Sequence, residues 1–117
     1  MPGRRRCVVV ADATSARILL APPSQGSSAE LIEHSELECC ARRAHLDRRF
    51  AAALAHHVRT IVQDWPSGSV VIAAAPETLG LLREVVQHAL PKGVKLKALA
   101  RDYVSLSAPE LAQRLDF

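Results

Sequence analysis

A chain of 117 residues, 49% of them apolar and with no long polar tract, has the size and composition of one globular domain closing one core. Its net charge of +3 permits a weak preference for anionic partners without demanding one. The longest apolar runs, around Val8–Ala11 and Val70–Ala75, fall far short of the ~20 residues that cross a bilayer, which excludes a membrane-spanning helix.

The opening "MPGRRRCVVVADATSARILL" has the basic-then-apolar order of a secretory signal, but Asp12 and Arg17 interrupt the apolar run. The expectation is a first strand in a cytoplasmic protein. Three cysteines without framework spacing agree with a reducing compartment and no disulfides.

Arg6 to Ala11 is a β-branched run that fits a strand buried on both faces, and "DATS" turns it into a second strand, Ala16 to Ala21. "PPSQGSS" is a turn by composition. Ala29 to Leu37 resumes as a strand whose Glu30, Glu33 and Glu36 suit an exposed edge. From His45 to about Asp64, Leu46, Phe50, Leu54, Val58, Ile61 and Trp65 recur at spacings of three and four, which predicts one face of a long helix. Arg48, Ala52, His56, Arg59 and Gln63 fall on the opposite face.

"WPSG" stops that helix and "SVVIAAA" reads as a second fully buried strand. Pro76 opens the next helix, Leu79, Leu82, Val86 and Leu90 repeat along one face, and Pro91 ends it. Gly80 inside this helix costs ~1 kcal/mol against Ala, which predicts close packing of helix on sheet at that point. Val94 to Ala100 is the last strand, with Lys95 and Lys97 alternating with apolar residues. Ser107 and Glu110 form a capping box, with Leu106 and Leu111 as its hydrophobic staple, and start a short C-terminal helix.

The order is thus β-β-β-α-β-α-β-α, a meander followed by right-handed parallel crossovers. It predicts one α/β domain over residues 1–117 with a mixed five-stranded sheet of order 3-2-1-4-5 and helices layered against it.

"VVVADATSARILL", "RRFAAALAHHV", "VVIAAAPETLGLLREVV" and "LKALARDYVSLSAPELAQRL" resemble the successive blocks of the bacterial host attachment protein family, "APETLGLLR" being the most specific. The same order is more distantly similar to the middle domain of eukaryotic and archaeal class-1 peptide release factors and Pelota, whose layout is broadly ribonuclease H-like. That resemblance implies a translation-linked or RNA-binding role. Where the release factors carry a Gly-Gly-Gln loop, this chain has Cys39, Cys40, Ala41, Arg42, Arg43, Ala44 and His45, so peptidyl-tRNA hydrolysis by that route is not expected. The longer polar, glycine- and histidine-containing insertion common in the host attachment family is also missing there.

Two candidate sites follow. Arg42, Arg43, Arg48 and Arg59 would form one basic stripe running onto the outer helix face, a surface for RNA phosphates or the ribosome. A solvated helix face is the plain alternative. The second candidate is the crevice between the first and fourth strands, where an open sheet of this order changes direction. Asp12, Thr14 and Ser15 would stand there opposite Glu77 and Thr78 at the helix N-terminus, which attracts anions. The layout resembles the phosphate loops of sugar kinases but lacks their glycines, and Asp12 also serves as a plain turn-former.

Other chemistry finds less support. Zinc needs about four ligands, and Cys39, Cys40 and His45 offer three. Arg42 and Arg43 would lower a neighbouring thiol's pKa, but no companion His or acid is identifiable. Two-metal nuclease chemistry needs converging carboxylates, and Asp12 stands alone against a fourth strand of Val, Ile and Ala. His34, His56, His57 and His88 read as surface or packing residues.

The sequence therefore leads to a non-enzymatic binding domain with no cofactor, no metal and no membrane contact, compatible with a homo-oligomer. The alternative is a small-ligand or phosphate-binding enzyme using the Asp12 crevice.

Overall fold

Cys7, Val8, Val9, Val10 and Ala11 are each at most 1% exposed, so both faces of this β-branched strand are covered. A strand of that kind belongs in the middle of a sheet, and the computed structural model places it there. The structure describes residues 5–12, 15–21, 31–38, 48–65 and 67–114. The elements are β1 (Arg5–Ala11), β2 (Ser15–Ala21), β3 (Ile32–Glu38), α1 (Arg48–Val62), β4 (Gly68–Ala74), α2 (Pro76–Ala89), β5 (Val94–Ala100) and α3 (Ala108–Arg114). They form one five-stranded sheet of order β3-β2-β1-β4-β5. β1 pairs antiparallel with β2 and parallel with β4, and β5 lies parallel on the far side of β4. The predicted element order and strand order are the observed ones.

Alternation along the strands sorts the core into two layers. Cys7, Val9, Ala11, Ala16, Ile18, Val70, Ile72 and Ala74 face α1 and α2, packing against Phe50, Leu54, Val58, Leu82 and Val86. Val8, Val10, Leu19, Ala21, Val71 and Ala73 face the other way and pack on Leu111 of α3, with Tyr103 and Leu106 at the margin. A fully buried Leu contributes ~1.5–3 kcal/mol of transfer free energy. Leu111, at 0% exposure, is therefore the main anchor of the thinner layer.

The termini of the helices follow their residues. α2 begins after Ala75, an extended residue without a side-chain cap, and Pro76 supplies the preset φ of the first turn. The Ser107 hydroxyl donates to Glu110 Oε1 at 2.9 Å, and the Glu110 N–H returns a longer bond to Ser107 Oγ at 3.4 Å. This is the predicted capping box, and its bonds hold the Glu110 carboxyl below its ordinary pKa.

Gly80 departs from the prediction. A Cβ built on it meets nothing within 4 Å. The side of α2 that packs is set by Thr78, Leu82 and Val86, which are buried. Gly80 lies two positions from Thr78 and Leu82, about 200° around the helix, so it faces solvent and no close helix–sheet approach occurs there. No helix among the described residues is long and apolar enough to cross a membrane.

Candidate functional site

α1 carries the basic surface. Its buried stripe is Phe50, Ala51, Leu54, Ala55, Val58 and Val62, which leaves Arg48, Arg49, Ala52, Ala53, His56, His57, Arg59, Thr60 and Gln63 exposed. Arg48 and Arg59, eleven residues apart, stand ~16 Å apart along the axis and within ~20° of each other around it. Between Arg48 and Gln63 the helix has no acidic residue, and its first turn holds two arginines. Cations at a helix N-terminus oppose the macrodipole at a cost of ~0.3–1 kcal/mol each. Arg42 and Arg43, the other half of the predicted stripe, lie outside the described residues, as do Cys39, Cys40 and His45.

The strand-end crevice has a different character. Ala11 and Ala74 are partners in the parallel register, so Asp12 and Ala75 follow side by side at the C-terminal ends of β1 and β4. Asp12 Oδ1 accepts from the Ser15 N–H at 2.7 Å and from the Ser15 hydroxyl at 3.2 Å, while the Asp12 N–H donates to the Ser15 carbonyl at 2.9 Å. These bonds close the β1–β2 hairpin and occupy the Ser15 hydroxyl. At the α2 terminus Pro76 has no N–H, and the Thr78 and Leu79 N–H groups both donate to the Ala75 carbonyl at 2.9 Å. Thr78 is 4% exposed and Glu77 is exposed. An anion arriving there would also meet the carboxylates of Asp12 and Glu77. Thr14 lies outside the described residues.

One polar cluster had no counterpart in the sequence reading. Arg17 projects from β2 toward the α3 layer, and its guanidinium donates to the carbonyls of Val104, at 2.8 Å, and Leu106. Nε also donates to Glu33 on β3 at 2.7 Å, and a second nitrogen pairs with the same oxygen. Arg17 thus straps the segment leading into α3 onto the sheet, with its side chain 15% exposed. Its sequence signal was an arginine on the inward-alternating side of an otherwise apolar strand.

Among the described residues no three His, Cys, Asp or Glu side chains are grouped to hold a metal ion. Cys7 is sealed in the α1–α2 layer, and burial pushes its thiol up to about 12, far from a nucleophile's range.

The chain is similar to several solved structures. Thermus thermophilus RuvC matches with a TM-score of 0.50 at 13% identity, over 79% of this chain and 61% of that one. The Aquifex aeolicus PPX-GPPA enzyme matches at 0.46 and 12%, and the type II variant of the Aquifex aeolicus Ppx/GppA phosphatase at 0.49 and 10%, each over 81% of this chain. The chain spans 36% of either Aquifex protein's length. The RuvC likeness is one of fold, the ribonuclease H-like arrangement of a mixed sheet between helices. No curated protein matches the chain. The family described as "Protein required for attachment to host cells" matches residues 41–115, from the segment before α1 through α3, and the chain belongs to that family.

Proposed function

We propose that the domain is a non-catalytic binding module whose α1 face docks on RNA. The observation that carries this reading is the one-signed surface of α1, with Arg48, Arg49, His56, His57 and Arg59 exposed and no acid before Asp64. Phosphates need only such charge, and the spacing of Arg48 and Arg59 suits a polyanion better than a single small anion. Base stacking has little to work with, because Phe50 and Trp65 are 7% and 8% exposed. The contact is therefore to the backbone and indifferent to sequence. The distant resemblance of the element order to the release-factor middle domain is the reason for taking the translation apparatus as the source of that RNA. Fold alone assigns no function, so the charge pattern bears the weight.

The test is retention of the purified protein on ribosomes and on RNA at low and high salt, for the wild type and for a variant with Arg42, Arg43, Arg48 and Arg59 reversed to Glu. Circular dichroism verifies that the variant is folded. Retention that falls with salt and disappears in the variant supports the reading. Absence of retention at low salt, or retention unchanged by the reversal, overturns it.

A further inference from the structure

The two edges of the sheet carry opposite charge on the same face. β5 is one edge, paired with β4 in unbroken register from Gly68↔Val94 to Ala74↔Ala100. Val94 and Leu96 belong to the α1–α2 layer and Leu99 to the α3 layer, which places the exposed Lys95 and Lys97 on the α3 face of the sheet. β3 is the other edge. Leu37 packs in the α1–α2 layer, and Glu36, the partner of Arg17, is exposed on the α3 face. Both edge strands run parallel to β1, since β3 is twice reversed from it and β5 follows it directly.

From this we infer that copies of the chain associate edge to edge, β3 of one copy adding to β5 of the next. The charge pattern argues for a second copy. Setting the edges side by side continues the sheet in one direction, with like layers on like faces. Leu37 then lies beside Leu96, and Glu36 lies within reach of Lys95 and Lys97 at the ~4.8 Å strand spacing. Charges are the ordinary means of keeping edges apart, but that works when the edges repel. Here one edge is basic and the other acidic, so the charges attract.

The irregularity in β3 limits the contact. The register shifts between Ile18 and Leu19, whose partners are Ser35 and Glu33, leaving His34 as the extra residue. Regular backbone is available from Ser35 onward, a short length. The association is consequently weak, salt-sensitive and heterologous, adding copies head to tail.

Sedimentation velocity over a concentration series tests this, at about 0.1 M and about 1 M salt, where the Debye length falls from ~10 to ~3 Å. The expected result is a sedimentation coefficient that climbs with protein concentration at the lower salt and stays at the monomer value at the higher. K95E/K97E and E36K, each verified as folded, should each hold the monomer value, and their equimolar mixture should regain the climb, because each supplies the edge that the other lacks. A wild type that stays monomeric throughout, association indifferent to either variant, or a mixture that stays monomeric would each overturn the inference. If K95E/K97E does not fold, the neutral K95Q/K97Q variant replaces it, with loss of the concentration-dependent climb supporting the contact and an unchanged climb refuting it. Monomers that gain mass only when an acidic peptide is added would assign the β5 edge to a different partner and likewise overturn it.

Discussion

Replacing Arg17 by Met keeps most of the aliphatic stem that crosses the α3 face and removes the guanidinium. Two charge-assisted hydrogen bonds, to the carbonyls of Val104 and Leu106, are lost. Bonds of this kind contribute ~1.5–3 kcal/mol each. Both carbonyls belong to half-buried residues that water reaches in part, so the lower figure applies and the pair amounts to ~3 kcal/mol. The ion pair with Glu33 adds less than ~1 kcal/mol, because the carboxylate is half exposed. Against a total stability of ~5–15 kcal/mol this is a large fraction. With an unfolding entropy of ~2.1 cal/mol/K per residue over 117 residues it lowers Tm by ~12 °C. Urea unfolding followed by Trp65 fluorescence measures the total. Hydrogen exchange at the α3 amides should show that this layer opens at lower free energy than β1 and β4. Glu33→Gln is the control, expected to cost under ~1 kcal/mol. An Arg17→Met variant within ~0.5 kcal/mol of the wild type, or a Glu33→Gln cost equal to it, would refute the strap.

Leu111→Ala should destabilise by ~2–5 kcal/mol in the same urea assay, since a fully buried side chain leaves a cavity between α3 and the sheet. Gly80→Ala should stabilise by ~0.5–1 kcal/mol in thermal melts, because the helical site is open and the new Cβ meets nothing. Burial raises the Cys7 thiol from 9.0 to about 12. Between those values the unfolded chain sheds a proton that the folded chain keeps, so the contribution is whole below pH 9 and declines as pH rises toward 12. The stability gap between wild type and Cys7→Ala should narrow across that window in denaturant titrations, and a constant gap would contradict it. Native Cys7 should also resist thiol reagents at pH 8 in a background lacking Cys39 and Cys40, reacting only on unfolding.

The strand order was legible because β1 is β-branched on both faces, and only a central strand offers it two covered sides. The α1 face and the Ser107–Glu110 box were equally open to reading, since both depend on spacings of three and four. Gly80 was misassigned although its phase was available: it sits off the stripe of Leu82 and Val86. The irregularity in β3 also left a trace. Glu33 and Glu36 are three apart, which in a regular strand puts them on opposite faces, and the extra residue at His34 brings both to the side of Arg17. The Arg17 strap left only half a trace, an arginine at an inward-alternating position, because its carbonyl partners lie 87 and 89 positions away and are backbone groups any residue would supply. At the crevice the strand order implied that Asp12 follows β1 beside the start of α2, Ala11 and Ala74 being register partners. What spacing alone did not reveal is that Ser15 closes the turn with Asp12, and that the Thr78 N–H at the helix end is taken by the Ala75 carbonyl.

The place of β1 has a consequence for how the chain is made. Its antiparallel partner begins at Ser15, but its parallel partner lies 63 positions later, Arg5 meeting Gly68 and Ala11 meeting Ala74. At ~5–20 residues per second, ~3–13 s separate the synthesis of β1 from that of β4. Through that interval one edge of β1 stays unpaired, and both of its faces stay uncovered until α1 is made, with α2 and α3 following only after β4. The strand that anchors the finished domain is thus the one most exposed to wrong partners during synthesis.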